Sequence, residues 1–242
     1  MIRDIDTQAF ARDVARRTRR GRRALVFKSV KSKGGDLRVE SALERDVGIL
    51  LDIDPRVIEL TGQPFTIELQ SNEVLSSRAD YRARAGVKAR FYTPDFLCRL
   101  DDGTALAIDA KHSSFIEKFD SRRESITLGL RQHGINFLIV PETAISSIVM
   151  ETVSSLHLLR AGFLQQWVAD AGLELNELLI EQQTWTALAL SARLTTGRTG
   201  VMAGLVSGVL RADLSRPLFS SCSELHAGFG DLTHLQLLEL SA

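Results

Sequence analysis

The sequence predicts an α/β fold, with strands and helices up to residue 140 and a helical part after it. Between residues 24 and 140, short runs rich in β-branched and aromatic residues alternate with turn signals and with helical periodicity, whereas the pattern is helical from residue 142 onward. Hydrophobic residues make up 44% of the 242 residues and charged residues 25%, values that are typical of globular proteins and exclude a disordered chain. We therefore predict a basic arm over residues 1–23, an α/β domain over 24–145 and a helical domain over 146–242.

The first predicted elements after the arm are a hairpin and a helix. Residues 24–30 have the composition of a strand, and Lys-Gly-Gly-Asp at 33–36 is a hairpin turn signal. Ser41 and Glu44 have the three-residue spacing of a capping box, so we expect a helix to begin near Ser41. That helix ends before Pro55, because the residue preceding a proline avoids helical backbone angles.

The later elements surround a long loop. Residues 71–90 are polar and basic and predict that loop, and Asp101-Asp102-Gly103 predicts the turn of the clearest hairpin. The apolar run at 135–140 predicts a buried strand. We expect further strands at 57–60, 65–69, 91–100 and 104–111, and helices at 115–133, 148–171, 173–194 and 200–210.

The net charge is zero, with 30 basic and 30 acidic residues, but the charges are unevenly distributed. Residues 1–38 carry twelve basic and four acidic side chains, which leaves a net charge of −8 on residues 39–242. The arm is either a solvated tail or a segment that binds the phosphate backbone of DNA or RNA, with an affinity that falls steeply with salt. The candidate DNA-binding residues are Arg16, Arg17, Arg19, Arg20, Arg22 and Arg23 in the arm and Arg82, Arg84 and Lys88 in the later loop.

Two features bear on the cellular compartment. No apolar run is long enough for a transmembrane helix, and the N-terminal residues lack an apolar signal core, so we expect neither a membrane partner nor secretion. Cys98 and Cys222 make neither a disulfide framework nor a metal cluster, which suits a reducing cytoplasm. We therefore expect a cytoplasmic protein.

The residues with the clearest chemistry lie on the predicted hairpin around residues 101–103. Asp109 and Lys111 are two apart on one strand and share a face, and Asp95 on the antiparallel neighbour can lie beside Asp109. Two carboxylates this close repel unless a cation offsets them, and Mg²⁺ prefers such oxygen ligands. Glu44 on the preceding helix is a candidate third carboxylate. The pattern also fits solvated charges on an exposed strand, but each charge here interrupts an apolar run.

The order of these motifs resembles that of TnsA-type transposon endonucleases, which belong to the PD-(D/E)xK restriction-endonuclease-like superfamily. The resemblance covers residues 24 to about 140. A weaker match to a Gly-x-Leu-x-x-Asp-Leu segment of the C-terminal domain of these proteins lies at Gly208–Leu214. The main matching segments, in chain order, are Ser41–Asp46, Asp54–Val57, Gln63-Pro64, Tyr92–Phe96 and Asp109–Lys111.

The resemblance implies a fold and a set of roles. The fold is a restriction-endonuclease-like mixed sheet flanked by helices, followed by a small helical, winged-helix-like C-terminal domain. Glu44 and Asp95 match metal-binding carboxylates and Lys111 matches the catalytic lysine. Asp109 stands where many relatives have glutamate or glutamine, and its side chain is one methylene shorter than glutamate. Glu44, Asp95 and Asp109 would hold Mg²⁺, for which Mn²⁺ would substitute, while Lys111 would assist a water that attacks the phosphodiester.

The implied function is that of a TnsA-like subunit of a heteromeric cut-and-paste transposase, which cleaves the 5′, non-transferred strands at transposon ends. The implied partners are transposon-end DNA, a DDE-type (TnsB-like) transposase subunit and an AAA+ (TnsC-like) regulator, in a prokaryotic cytoplasm and at the nucleoid during action. Two alternatives stay open. One is a stand-alone PD-(D/E)xK DNA nuclease for defence or phage DNA processing, and the other is a non-catalytic DNA-binding or assembly module on a nuclease-like scaffold.

Overall fold

The computed structural model describes residues 24–83, 86, 88–162 and 164–240. The predicted arm over residues 1–23 and the predicted DNA contact Arg84 lie outside this part of the chain. The described chain divides into two compact units. The first comprises the residues up to Asp52, Arg56–Ala144 and Leu240, and the second comprises Ile53–Pro55 and Ile145–Glu239.

The first unit contains a mixed sheet flanked by helices, as the sequence predicts. A four-stranded sheet has the order β3-β7-β8-β9, in which the first two pairings are antiparallel and β8 pairs with β9 in parallel. A hairpin of β1 and β2 and a three-stranded sheet of order β5-β4-β6 accompany it. The strands are β1 Leu25–Lys28, β2 Asp36–Val39, β3 Val57–Gly62, β4 Thr66–Glu68, β5 Glu73–Leu75, β6 Phe91–Tyr92, β7 Phe96–Leu100, β8 Ala105–Lys111 and β9 Ile135–Pro141, and the helices are α1 Ala42–Ile53 and α2 Ser113–Arg131.

Helix α1 begins where the capping pattern predicts. Ser41 Oγ accepts the Glu44 N–H at 3.1 Å and donates to Glu44 Oε1, while Glu44 Oε2 accepts the Glu40 N–H at 2.8 Å. The helix ends at Ile53, before Asp54-Pro55. Its buried face is apolar, and Gly48 at its centre lies directly against the aromatic rings of Phe27 and Phe96.

Three of the predicted elements in this unit are wrong in detail. Residues 71–90 are not one loop, because they include β5 and a 3₁₀ turn at Arg78–Asp80. The predicted strand 91–100 is interrupted between β6 and β7 at Thr93–Asp95, since Pro94 has no N–H for a ladder hydrogen bond. The predicted buried strand β9 is mostly half-buried, because it forms an edge of its sheet.

The second unit contains four helices and a small sheet where three helices are predicted. Gly162 ends the first of them, and Thr184–Thr186 leaves the helical pattern to pair with a strand about forty residues later, a long-range contact that overrides local periodicity. The sheet has the order β10-β12-β11. The elements are α3 Ser147–Ala161, α4 Leu164–Glu181, β10 Thr184–Thr186, α5 Ala187–Arg193, α6 Gly197–Ser207, β11 Leu210–Ala212 and β12 Glu224–Ala227. None of the helices in the described chain combines the length and apolar character that crossing a bilayer requires.

The contact at Gly48 gives a direct test of how α1 packs. A Cβ at this position would lie 2.4 Å from the Phe27 ring and 3.0 Å from the Phe96 ring, so Gly48→Ala should lower the free energy of unfolding by about 1–3 kcal/mol through overpacking. Gly172→Ala in α4 is the matched control, since no atom lies within 4 Å of its Cβ and a helical alanine should add about 0.5–1 kcal/mol. Urea denaturation of both variants measures the difference, and equal effects would contradict the packing at Gly48.

Candidate active site

Asp95 is held at the start of β7 by main-chain contacts on both sides. It lies one residue before the pair formed by Phe96 and Ile108, which sets it opposite Asp109. Its Oδ2 accepts the Ala110 N–H at 2.9 Å, and its carbonyl oxygen accepts the Gln63 N–H at 2.9 Å. The side chain therefore has a fixed direction even though the strand is broken at Pro94.

Asp109 lies in β8 and is almost completely buried, with 1% of its surface exposed. Its Oδ1 accepts two hydrogen bonds, from the Tyr92 hydroxyl at 2.8 Å and from the Asp95 N–H at 3.3 Å. Its Oδ2 has no hydrogen-bond partner among the described residues and faces the Lys111 Nζ at 3.1 Å as an ion pair. One oxygen is thus fixed by hydrogen-bond donors, and the other faces the ammonium group of Lys111.

Lys111 completes the group at the end of β8. Its Nζ lies 3.1 Å from Asp109 Oδ2 and 4.0 Å from Asp95 Oδ2, and it also lies over the Phe119 ring at 5.4 Å. More than a quarter of the side chain is exposed, so the ammonium group lies at the rim of the site. The structure therefore brings Asp95, Asp109 and Lys111 together.

Glu44 contributes to the electrostatics of this group from the first turn of α1. Burial raises the pKa of Glu44 and the charge of Lys111 opposes this rise, while the charge of Glu44 adds to the rise in the pKa of Asp95 that burial and Asp109 cause. Both of its carboxylate oxygens already accept hydrogen bonds, from Ser41 and Glu40. In this arrangement Glu44 serves as a helix cap, and its role as a metal ligand stays a prediction.

The site holds more negative charge than one lysine offsets. Burial raises the pKa of Asp95 well above its ordinary value, and the neighbouring Asp109 raises it further, while Lys111 opposes the change. Burial also raises the pKa of Glu44. Burial alone would lower the pKa of Lys111, but Asp109 and Asp95 outweigh it and the pKa is raised. The lysine is therefore an ammonium at neutral pH, and the carboxylates still lack a second cation.

The donor set fits Mg²⁺ held by two carboxylates. No group of three His, Cys, Asp or Glu side chains in the described chain is arranged to hold a metal ion, so the predicted trio of Glu44, Asp95 and Asp109 is not assembled as such. Mg²⁺ commonly uses one or two carboxylates and keeps several waters. Asp109, whose buried Oδ2 is paired with the Lys111 ammonium, and the adjacent Asp95 would supply that pair.

Two residues of the site had no role assigned from the sequence. Tyr92 is buried and donates to Asp109, and its ring packs edge-on against Phe137 at 5.8 Å. Gln63 is buried in a left-handed conformation with φ of 42°, which is strained for a residue other than glycine, and its Oε1 has no hydrogen-bond partner in the described chain. The signal for both was proximity in sequence to prolines that interrupt the strands, Pro64 and Pro94.

The predicted DNA-binding residues of the loop are not held in a defined arrangement as the candidate active-site residues are. Arg82 and Lys88 are exposed and their surroundings give them no specific role. Arg78, in the same segment, lies over the Phe91 ring at 4.7 Å.

Comparison with known proteins adds nothing to these assignments, since no family model matches the sequence and no curated protein matches it.

Removing the charge of Asp95 should stabilise the metal-free protein. Because its pKa is raised in the folded state, the stabilisation by protonated Asp95 is complete below about pH 4 and is lost as the pH rises through the folded-state pKa. Asparagine stays neutral at every pH. In thermal denaturation with EDTA, the melting temperature of Asp95→Asn should therefore rise relative to that of the native protein from pH 4 to pH 8. Added Mg²⁺ should stabilise the native protein and not the variant. A variant that is less stable at every pH would contradict the repulsion.

Tyr92→Phe should weaken metal binding without unfolding the site. The substitution removes the hydroxyl that fixes Asp109 Oδ1 and keeps the ring that packs against Phe137. Loss of such a supporting hydrogen bond lowers metal affinity by about 10- to 100-fold, which a calorimetric Mn²⁺ titration measures. Tyr81→Phe, at the other tyrosine of the chain, is the control. Equal affinities for Tyr92→Phe and the native protein would show that the hydroxyl does not orient Asp109.

Proposed function

We propose that this protein is a metal-dependent DNA endonuclease that acts as the TnsA-like subunit of a heteromeric transposase. The observation that carries the proposal is the convergence of Asp95, Asp109 and Lys111 at one end of a strand pair, with two carboxylates and one lysine. Clustered buried carboxylates destabilise a fold unless a cation is bound, so their presence indicates a function that uses one. A mixed sheet flanked by helices is compatible with the restriction-endonuclease-like fold that we propose for the first unit.

The chemistry follows from the charges of these residues. Asp95 and Asp109 would hold Mg²⁺, which when bound supplies charge neutralisation and a lowered pKa for coordinated water. Lys111 is already protonated, so it cannot accept the proton of the attacking water. It instead positions that water or the phosphate by donating hydrogen bonds, and it offsets the negative charge that develops on the phosphate oxygens.

Supporting residues keep this arrangement rigid. The Ala110 N–H fixes Asp95, and Tyr92 with the Asp95 N–H fixes one oxygen of Asp109. Each fixed oxygen limits the directions in which the other can turn. Donors that are ordered before the reaction need no reorganisation during it, which is the main source of electrostatic catalysis.

We further propose that the second unit has a winged-helix-like arrangement that serves a protein partner. The order α3, α4, β10, α5, α6, β11, β12 and the sheet order β10-β12-β11 support this arrangement. Residues 145–239 contain nine acidic residues, five arginines and no lysine, which disfavours a DNA backbone as the ligand. Most of α6, the helix that such a domain would place in DNA, is buried.

The surface of this unit supports a protein partner. Ile180 and Phe229 are 86% and 87% exposed and border a cavity of about 560 Å³ lined also by Leu179 and Val209. Phe229 has a φ of 51°, and Gly228 beside it packs so closely on Gly208 that a Cβ would meet its carbonyl oxygen at 2.3 Å. A fixed backbone thus displays a large apolar side chain to solvent, as at binding surfaces. We assign this surface to the DDE-type transposase subunit or the AAA+ regulator.

Lys111→Ala and Asp95→Ala should each lower the nicking rate on transposon-end DNA by at least about a hundredfold, because each removes a charged group that acts on the transition state. The assay uses Mg²⁺, a supercoiled plasmid that carries the ends, and the transposase partner in one arm. Arg99→Ala, at an exposed arginine paired with Glu59, is the control.

The two arms of that assay separate the alternatives. Nicking that needs the partner supports the transposase subunit, whereas equal nicking of plain duplex DNA without a partner indicates a stand-alone nuclease. A native-like rate for Asp95→Ala would show that the site is assigned wrongly. Absence of Mg²⁺ and Mn²⁺ binding would favour the non-catalytic module.

A further inference from the structure

We propose that a cationic cavity in the first unit, next to the candidate active site, binds one phosphate of the DNA backbone. The inference rests on the proposed function for the identity of the ligand. The cavity has a volume of about 450 Å³ and lies between the chain around β4 and the middle of α2. It is lined by Leu69, Gln70, Arg90, Ser121, Arg122 and Ser125.

The side chains that line the cavity carry a net positive charge. Two of the six lining residues are arginines, two carry hydroxyl groups, and none is acidic. Arg122 donates to the Phe91 carbonyl oxygen at 3.0 Å, and no carboxylate of the described chain pairs with Arg90 or Arg122. A cavity that combines two guanidinium groups with serine hydroxyls suits a phosphate, which accepts hydrogen bonds from both.

The residues of α2 that line the cavity are two serines and an arginine, and none of its acidic residues lines it. Ser121, Arg122 and Ser125 lie on one side of the helix, because residues separated by three or four positions share a face. Lys118, four residues before Arg122, extends this side towards the start of the helix. Glu117, Asp120 and Glu124 follow the same spacing on the adjoining side of the helix, and Arg123 pairs with Asp120 at 3.9 Å.

The opposite wall of the cavity is fixed by a buried carboxylate. Glu68 accepts the N–H groups of Gln70 and Ser71 and also the N–H of Arg90, at 2.8–3.1 Å. Leu69 and Arg90 are joined by a further main-chain hydrogen bond of 2.8 Å. These bonds lower the pKa of Glu68, so the carboxylate is charged at neutral pH and holds both lining segments. The wall therefore exists before a ligand arrives.

The cavity is connected to the candidate active site through Phe91 and Tyr92. Arg122 binds the carbonyl of Phe91, and the next residue, Tyr92, donates to Asp109. The cavity and the candidate active site are thus joined by two consecutive residues of β6, and a phosphate bound at Arg122 would position the DNA backbone next to the site.

The test is DNA binding without metal, which does not depend on cleavage. Fluorescence anisotropy of a labelled duplex in EDTA, over a salt series, compares the native chain with Arg90→Ala, Arg122→Ala and the double variant. The double variant should bind about tenfold more weakly, and the slope of log affinity against log salt should fall by about 0.9 for one lost phosphate. Arg123→Ala, one residue away and paired with Asp120, should bind like the native chain.

Other outcomes decide against the proposal. An unchanged affinity and salt slope in the double variant would overturn it, and so would an equal loss in Arg123→Ala, which would indicate general charge alone. If the double variant loses binding of inorganic phosphate or a mononucleotide but not of duplex DNA, the cavity serves a small anion. Thermal denaturation checks that each variant is folded. If the binding results are as expected but the native protein does not nick DNA, the phosphate site is supported and only the proposed enzyme activity is refuted.

Discussion

The arrangement depends on two carboxylates, the buried Asp109 and the partly buried Asp95, that are held close together by main-chain N–H groups. The Ala110 N–H binds Asp95 and the Asp95 N–H binds Asp109, so each aspartate is fixed by the strand that carries the other. Neither can turn away to relieve the repulsion. A single ammonium group, that of Lys111, offsets part of the charge. The repulsion between the two aspartates is therefore a consequence of the pairing of β7 with β8, and the neighbouring elements keep these two strands in place.

Two interruptions in the strands make this ladder possible. Pro94 lies in the break between β6 and β7. Tyr92 before the break pairs with β4, and Asp95 directly precedes β7, the strand that pairs with β8. The left-handed Gln63 binds the carbonyl of Asp95 from the other side. Gly48 lets α1 lie directly against Phe96, the residue after Asp95. Irregular backbone and a missing side chain are thus concentrated around one aspartate, which is where strain is expected at a functional site.

The sequence predicted what depends on local chemistry and missed what depends on distant partners. The start of α1 followed from Ser41 and Glu44, and the shared face of Asp109 and Lys111 followed from strand alternation. Thr184–Thr186 was predicted as part of a helix but forms a strand, because the strand that pairs with it lies about forty residues away in the sequence. It was also not predicted from the sequence that the capping hydrogen bonds of Glu44 compete with metal binding. The capping pattern that predicts the start of the helix is the one that occupies both oxygens of this carboxylate.

The two units of the chain differ in charge and in surface character, although the net charge is zero. The acidic second unit presents apolar side chains, which suits contact with protein, while the first unit combines buried carboxylates with exposed arginines around α2. Phosphate repels the carboxylates and attracts the arginines, so a nucleic acid strand can approach this unit only along its cationic side. Under the function that we propose, the carboxylates would meet the phosphate through a cation rather than directly. A net charge of zero is compatible with that proposal, because the arginines line an open cavity while Asp109 is buried.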